Sequence, residues 1–270
     1  MSMEIAFIGG GNMARSLIAG LLRIGQDPAR VQVSEPSGES RDALAREFGV
    51  CTHSSNTAAA AAASIWVLAV KPQVMGLVLE ELATLSSQRA PLVISIAAGV
   101  TRGRIAQALG RTARVVRTMP NTPAMIGAGI TGLYAEPDVT PADRRVVETL
   151  LQSAGATVWI EDEAQMDAVT ALSGSGPAYF FLMIEALTKA GVAQGLPEAT
   201  ARKLALHTAL GAARMAVESP EDVALLRQRV TSPGGTTAAA LAAFADGGFE
   251  ALVASAVAAA TRRGRELAGG

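Results

Sequence analysis

A glycine-rich turn directly after the first hydrophobic segment constrains the fold of this chain more than any other feature. Ile5–Ile8 has the composition of a strand buried on both faces of a parallel sheet. Gly9, Gly11 and Ala14 follow at the G-x-G-x-x-G/A spacing, where small residues allow a tight turn, close approach of the backbone to a pyrophosphate and close helix packing. Because a helix beginning near Asn12 would point free N–H groups at the same place, this stretch predicts dinucleotide binding. The alternative is a turn that uses glycine for steric reasons alone.

Strand and helix patterns alternate from this turn to about residue 160. Six further segments have the composition of strands: residues 31–34, 65–70, 92–96, 114–117, 130–134 and 157–160. Alternating β and α elements predict an α/β fold, a Rossmann-type doubly wound parallel sheet. A nucleotide would then lie along the carboxyl ends of the strands.

The pattern changes beyond Glu163, where only helical patterns follow, at residues 178–191, 197–218, 221–229, 237–245 and 249–267. We therefore expect two domains: residues 1–163 as the dinucleotide-binding domain and residues 164–270 as an all-helical dimerisation and substrate-binding domain. Several helices, 251–260 especially, are apolar nearly all round, and a bundle of this size has too little interior to cover them. We expect a second copy of the chain to cover them in a homodimer.

Charge and cysteine content argue against several classes of function. Lys+Arg 23 against Asp+Glu 24 gives a net charge of −1, so neither a nucleic-acid partner nor a membrane partner is expected. Cys51 is the single cysteine, which predicts a reducing, cytoplasmic location. The first strand begins too early for a signal peptide, and the longest apolar stretch, 58–70, is too short to cross a bilayer. Two isolated histidines and one cysteine predict no metal site.

The end of the second predicted strand should read the ribose of the nucleotide. Ser34 occupies this position, and its neutral hydroxyl would not repel a 2′-phosphate, which favours NADP(H). No arginine stands beside it in the sequence and Glu35 follows, so use of NAD(H) stays open.

Candidates for acid–base chemistry are few. His53 lies in a predicted polar loop, 52–56, and is expected to be solvated; His207 lies in the middle of a helical pattern and is expected to be structural. Lys71 ends a strand at the expected cofactor edge, where it either positions the cofactor or is a solvated loop charge. No Ser–His–Asp order is present.

Two glycine-rich loops in the helical half are more informative. Residues 172–179 form a small-residue turn that enters a helix. Residues 231–237 form another, with successive N–H groups at a helix N-terminus and hydroxyls alongside, which is what a carboxylate pocket needs. Simple helix capping is the alternative for both loops.

At these motifs the chain closely resembles the pyrroline-5-carboxylate reductases. The resemblance covers essentially the whole chain and is carried by the Gly9 turn and by residues 69–72, 97–100, 119–123, 167–170, 172–179 and 232–237. It implies NAD(P)H-dependent reduction of 1-pyrroline-5-carboxylate, a cyclic imino acid, to L-proline, the last step of proline biosynthesis. It also implies a Rossmann domain followed by a helical domain that interlocks into dimers, which often assemble into decamers.

The resemblance implies which residues bind the cofactor and the substrate. NADP(H) contacts fall on Ile8, Gly9, Gly10, Gly11, Asn12, Met13, Ser34, Asn56, Ala69, Val70, Lys71, Pro72, Ala97 and Ala98. Substrate contacts fall on Glu163, Ser232, Gly234, Gly235, Thr236 and Thr237. In this interpretation the loop amides hold the substrate carboxylate, and the hydroxyl of Thr237, the catalytic residue, hydrogen-bonds the ring nitrogen. Alanine is common in the family at the position of Thr236, where only the backbone matters.

Two other functions are weighed against this one. A β-hydroxyacid dehydrogenase shares the two-domain layout, but its catalytic Lys and Asn would fall on Phe180 and Ile184. A dinucleotide-sensing paralogue could keep the fold and lose turnover, although the intact 232–237 loop argues against it. Reduction of an imine needs no strong general acid, which agrees with the scarcity of such groups here.

Overall fold

The computed structural model describes residues 3–267 and consists of two compact units. The first unit contains the described residues up to Ser175 together with those from Ala260 onward. The second unit is Gly176–Ala259.

A single eight-stranded sheet organises the first unit, in the order β3-β2-β1-β4-β5-β6-β7-β8. Its strands are β1 (Ile5–Ile8), β2 (Val31–Ser34), β3 (Cys51–His53), β4 (Ile65–Leu68), β5 (Leu92–Ser95), β6 (Arg114–Met119), β7 (Gly129–Ala135) and β8 (Gly155–Trp159). The chain runs outward from β1 in both directions, so the predicted doubly wound sheet of Rossmann type is confirmed. The switch point between the two halves lies at β1 and β4, where such sheets bind nucleotides.

One pair of neighbouring strands departs from parallel pairing. β7 runs antiparallel to β6, with Val116 opposite Ala135, whereas β8 is again parallel to β7. The connection from β6 to β7 contains only a short 3-10 turn, Thr122–Ile126. Because a parallel crossover needs a dozen or more residues, this short connection reverses the direction of the chain.

Helices cover both faces of the sheet. They are α1 (Asn12–Arg23), α2 (Gly38–Phe48), α3 (Asn56–Ala61), α4 (Met75–Arg89), α5 (Arg102–Leu109), α6 (Pro141–Gln152) and the short α7 (Met166–Val169). The side chains of β1 alternate between two apolar cores: Ile5 and Phe7 pack on one face, Ala6 and Ile8 on the other. All four are completely buried, which accounts for the continuous apolar run in the sequence.

The structure corrects the sequence prediction around residue 52. A polar loop was expected there, but Cys51–His53 is the edge strand β3, and Asn56 begins helix α3. His53 is therefore not a solvated loop residue: it is half-buried and its Nε2 lies 2.8 Å from Oε1 of Gln32. A three-residue, partly buried edge strand carries too little apolar alternation to be recognised by pattern.

The second unit is helical. Its helices are α8 (Gly176–Ala193), α9 (Glu198–Glu218), α10 (Val223–Arg229), α11 (Thr236–Asp246) and the first half of α12 (Phe249–Leu267). Among its described residues only Gly176, Ala201 and Ala205 are buried, while large side chains such as Phe180 and Leu182 are 68% and 67% exposed in the single chain. These helices leave an apolar surface much larger than isolated chains usually expose.

Within residues 3–267, no single helix has the length and apolarity to cross a membrane, and only α11 and α12 together, joined at a 53° bend, meet those criteria. The same residues contain no cluster of three or more His, Cys, Asp or Glu side chains that could hold a metal ion.

Candidate cofactor and substrate sites

The turn after β1 has a backbone that only glycine can form. Gly9 has φ +105°, and a Cβ built there would stand 2.8 Å from the carbonyl oxygen of Ala69 at the end of β4. Its N–H donates to the carbonyl of Ser34, 3.0 Å away at the end of β2. The turn is therefore fixed between the ends of the two neighbouring strands.

The N-terminus of α1 opens onto free space. Gly11 is the N-cap residue, and a Cβ built on it would meet nothing within 4 Å. No side chain caps this helix, and its first turn carries no acidic residue. Uncapped N–H groups, a positive dipole end and room for a ligand atom are what a pyrophosphate requires, so these residues fit a dinucleotide cofactor.

The structure brings most of the predicted cofactor residues to one edge of the sheet. Ile8, Ser34, Ala69 and Ala97 follow or end the adjacent strands β1, β2, β4 and β5. The others are neighbours of these residues along the chain, namely Gly10, Asn12, Met13, Val70, Lys71, Pro72 and Ala98. The carboxyl ends of parallel strands meet at this edge because the strands run in one direction. Lys71 is exposed and caps the 3-10 turn Pro72–Val74, which places its charge at the surface of this edge.

The hydroxyl of Ser34 is hydrogen-bonded to another predicted cofactor residue, Asn56. The side chain of Ser34 is buried, with the residue only 1% exposed, and its hydroxyl donates a 2.7 Å hydrogen bond to Oδ1 of Asn56. Nδ2 of Asn56 in turn donates to Oε2 of Glu81, at 2.7 Å. The hydroxyl thus orients Asn56 at the start of α3.

An arginine that the linear sequence places away from Ser34 lies beside it in the fold. Nη1 of Arg41 donates to the carbonyl oxygens of Glu35 and Pro36, at 2.7 and 2.8 Å. No arginine neighbours Ser34 in the sequence, but the fold brings Arg41 to the turn that follows β2. The first turn of α2 returns Arg41 to this position, which a search of immediate sequence neighbours cannot detect.

Glu163, predicted to contact substrate, lies in a 3-10 turn of the first unit and holds two other elements. Its Oε1 accepts a 2.6 Å hydrogen bond from the backbone N–H of Arg102, at the start of α5. It also accepts one of 2.9 Å from Nη1 of Arg117 on β6. An anion at this helix N-terminus is favoured by the helix dipole and by the arginine together.

A cluster of charges that the sequence reasoning missed surrounds this carboxylate. The guanidinium of Arg102 pairs with Glu136 at 3.0 Å and Asp138 at 2.6 Å. Burial, and next the negative charges of Glu136 and Glu163, raise the pKa of Tyr134 above its ordinary value. These charged residues are spread over more than sixty residues of sequence, so no local motif predicts the cluster.

In the second unit, the loop between α10 and α11 holds the remaining predicted substrate residues. Gly234 has φ +67°, and Gly235, the N-cap of α11, donates its N–H to the carbonyl of Ser232 at 3.1 Å. α11 has neither a side-chain cap nor an acidic residue in its first turn. Thr236 and Thr237 are the first two residues of α11 and therefore lie beside its uncapped backbone donors; Thr236 is exposed and Thr237 is half-buried. A small carboxylate is a suitable ligand for such an end.

Known proteins are similar to this chain over nearly its whole length. A family model described as pyrroline-5-carboxylate reductase dimerisation matches residues 163–267, and one described as NADP oxidoreductase, coenzyme F420-dependent, matches residues 4–99. The pyrroline-5-carboxylate reductase of Pseudomonas aeruginosa is 50% identical over 98% of this chain and 97% of its own length. That of Escherichia coli is 40% identical over 95% of each chain.

This chain belongs to the pyrroline-5-carboxylate reductase family.

Solved structures agree with this assignment. The pyrroline-5-carboxylate reductase of Coxiella burnetii has a TM-score of 0.95 at 44% identity and covers 98% of each chain. The Plasmodium falciparum enzyme, solved with NADP bound, has a TM-score of 0.85 at 31% identity over 98% of each chain. A 3-hydroxyisobutyrate dehydrogenase of Mycobacterium tuberculosis reaches only 0.51 at 18% identity, a likeness of fold alone. The resemblance predicted from the motifs is confirmed, and residues 163–267 match the model of the family's dimerisation domain.

Proposed function

We propose that this chain reduces 1-pyrroline-5-carboxylate to L-proline by hydride transfer from NAD(P)H, the final step of proline biosynthesis. The observation that carries the proposal is the identity of up to 50% with pyrroline-5-carboxylate reductases over nearly the whole of both chains. The uncapped α1 N-terminus beside the Gly9 turn supplies independent physical support, since it fits a dinucleotide. The chain is an NAD(P)-dependent oxidoreductase.

In this proposal the first unit holds the cofactor, which when bound supplies the hydride. The Gly9–Gly11 turn and the first amides of α1 hold the pyrophosphate. Asn12, Met13 and the ends of β2, β4 and β5 line the rest of the nucleotide, with Asn56 oriented by Ser34. We propose NADPH as the preferred cofactor and NADH as an accepted one.

The residue 232–237 loop holds the substrate in this proposal. Backbone N–H groups of Gly234, Gly235 and Thr236 bind the carboxylate, that of Gly235 in exchange for its hydrogen bond to the Ser232 carbonyl. Ser232 lies alongside, and the hydroxyl of Thr237 hydrogen-bonds the ring nitrogen. The uncapped start of α11 supports these roles because it offers donors without a competing side chain. Glu163 completes the substrate contacts, and its fixed carboxylate supports a positional role.

The proposed reduction does not need a strong general acid or base from the protein. A protonated cyclic imine accepts hydride at its imine carbon, and the nitrogen keeps its proton to become the secondary amine of proline. The residues therefore need to position the substrate and exclude water, and such positioning lowers a barrier by up to about 7–11 kcal/mol in favourable intramolecular cases. A strong proton donor is not required.

We further propose that two copies of the chain form a homodimer through residues 164–270, with residues 1–163 as the cofactor domain, and that dimers assemble into decamers. The exposed apolar side chains of α8, including Phe180, Phe181 and Leu182, support the dimer. A cytoplasmic location, expected from the single Cys51, belongs to the same proposal. Sedimentation of the purified chain should give a dimer or a larger species, and a stable folded monomer would contradict this part.

The decisive test is turnover. We expect the purified chain to oxidise NADPH only when pyrroline-5-carboxylate is added and to form one proline for each NADPH consumed. Tight binding of nucleotide without turnover by either nicotinamide would favour the sensing paralogue instead.

A further inference from the structure

The turn that joins β2 to α2 carries an acid and a base side by side. Glu35 follows the strand directly, and Arg41 returns to it from the first turn of the helix. In sheets of this type the ribose next to adenine lies at the end of the second strand. NADPH and NADH differ there by one phosphate on the 2′-oxygen, so both side chains stand where the two cofactors can be told apart.

The hydrogen bonds that fix Arg41 occupy only part of its guanidinium group. Both of its backbone hydrogen bonds, to the Glu35 and Pro36 carbonyls, come from the single nitrogen Nη1. Nη2 lies over Gly38, where a Cβ would stand 3.6 Å from it. A guanidinium has five N–H donors in a rigid fork that matches a phosphate, so donors remain beside the N-terminus of α2.

Glu35 is fixed by two backbone donors around the same turn. Its Oε2 accepts a 3.2 Å hydrogen bond from the N–H of Gly10, and its Oε1 accepts one of the same length from the N–H of Ser37. The carboxylate is thereby held between the glycine turn and the β2–α2 turn. A carboxylate in this place accepts a hydrogen bond from a ribose 2′-hydroxyl and repels a 2′-phosphate.

We propose that Arg41 binds the 2′-phosphate of NADPH and that Glu35 opposes it, so that this pair sets the cofactor preference. The ligand class is a 2′-phosphorylated adenine nucleotide. The inference rests on the proposed function, because it takes the nicotinamide site as given. Ser34, the residue that the sequence points to, does not serve as the reader because its hydroxyl is buried against Asn56.

Nucleotide binding to the full chain, measured by calorimetry without substrate, tests the proposal. The probes are 2′-phospho-ADP-ribose and ADP-ribose, which differ only in the phosphate. Arg41→Gln should weaken binding of the phosphorylated probe about 10- to 100-fold and change that of ADP-ribose less than about twofold. Arg41→Lys should keep part of the affinity, and Glu35→Gln should shift preference toward the phosphorylated probe.

Arg46→Gln is the matched control. Arg46 is exposed near the other end of α2, so its loss changes net charge equally without touching the turn. A similar loss of affinity in this variant would overturn the proposal. So would an equal loss of both probes in folded Arg41→Gln, since Arg41 would then only support the Glu35 and Pro36 carbonyls.

The same titrations separate this proposal from the proposed function. If the unaltered chain binds neither probe, the proposed cofactor preference and the proposed function fail together. If it binds them with the expected Arg41 dependence yet never reduces pyrroline-5-carboxylate, only the proposed activity fails.

Discussion

Oε1 of Glu163 accepts a 2.9 Å hydrogen bond from Nη1 of Arg117, and that arginine is only 5% exposed. The same oxygen accepts the first N–H of α5, from Arg102. A proposed substrate residue is thus fixed by a buried cation from β6 and by a helix end. The pair lies within the first unit and connects the strand, the helix and the 3-10 turn that follows β8.

Replacing this cation should destabilise the fold. We expect Arg117→Met to lower the free energy of unfolding by about 2–3 kcal/mol, because the Glu163 carboxylate loses its charged partner. The effect should fall short of that for a fully buried pair because the Glu163 side chain is 24% exposed. Denaturant unfolding at fixed protein concentration measures it, since association contributes to stability.

Arg89→Met is a suitable control for that measurement, because Arg89 is exposed at the end of α4. It should change the free energy of unfolding by less than about 0.5 kcal/mol. Equal effects of the two substitutions would mean that the Arg117–Glu163 pair adds nothing to stability.

Tyr134 should ionise at a higher pH than an ordinary tyrosine. Burial raises its pKa first, and the negative charges of Glu136 and Glu163 raise it further. Because the folded state holds the proton more tightly, this contribution to stability is present below the ordinary pKa and is lost as pH rises through the raised one. The chain has two tyrosines, so a Tyr179→Phe variant reports Tyr134 alone by tyrosinate absorbance. A midpoint at or below about 10 in the folded protein would contradict the assignment.

Gly11→Ala should separate cofactor binding from folding. A Cβ at Gly11 meets nothing within 4 Å, so the substitution adds no clash and the melting temperature should stay within a few degrees. The same methyl group would occupy the space proposed for the pyrophosphate, and NADPH affinity should fall at least about tenfold.

Gly103→Ala is the comparison for Gly11→Ala. Gly103 lies in the first turn of another helix, α5, and a Cβ there likewise meets nothing within 4 Å. The Gly103→Ala variant should bind NADPH with the same affinity as the unaltered chain. Unaltered affinity in Gly11→Ala would remove the start of α1 from the cofactor site.

The fold could be predicted from the sequence wherever a local pattern has a single physical explanation. Ile5–Ile8 is apolar throughout because β1 is buried on both faces, and Gly9 is glycine because its φ is positive and Ala69 leaves no room for a Cβ. The alternation of strands and helices then fixed the sheet type, and the family's loop motifs gave the functional class.

The charged side chains around the site could not be predicted in the same way. Arg41 reaches the turn after β2 only because α2 begins at Gly38 and its first turn lies beside that strand end. Glu163 contacts Arg117, which lies 46 residues away in the sequence. His53 was misplaced because a short edge strand has weak alternation. Such contacts depend on tertiary packing, which hydrophobic periodicity does not encode.

Thr237→Ala tests the one side chain to which the proposed mechanism gives a catalytic role. If its hydroxyl holds the ring nitrogen, kcat/KM for pyrroline-5-carboxylate should fall about 10- to 100-fold, the effect of one lost hydrogen bond to a charged group. Thr236→Ala supplies the matched control: that residue is exposed, contributes only its backbone in this proposal, and should keep kcat/KM within about twofold. Steady-state rates with both variants, at saturating NADPH, decide the matter. An unchanged value for Thr237→Ala would leave the backbone donors of the 232–237 loop as its only contribution, and catalysis would then rest on positioning of the carboxylate alone.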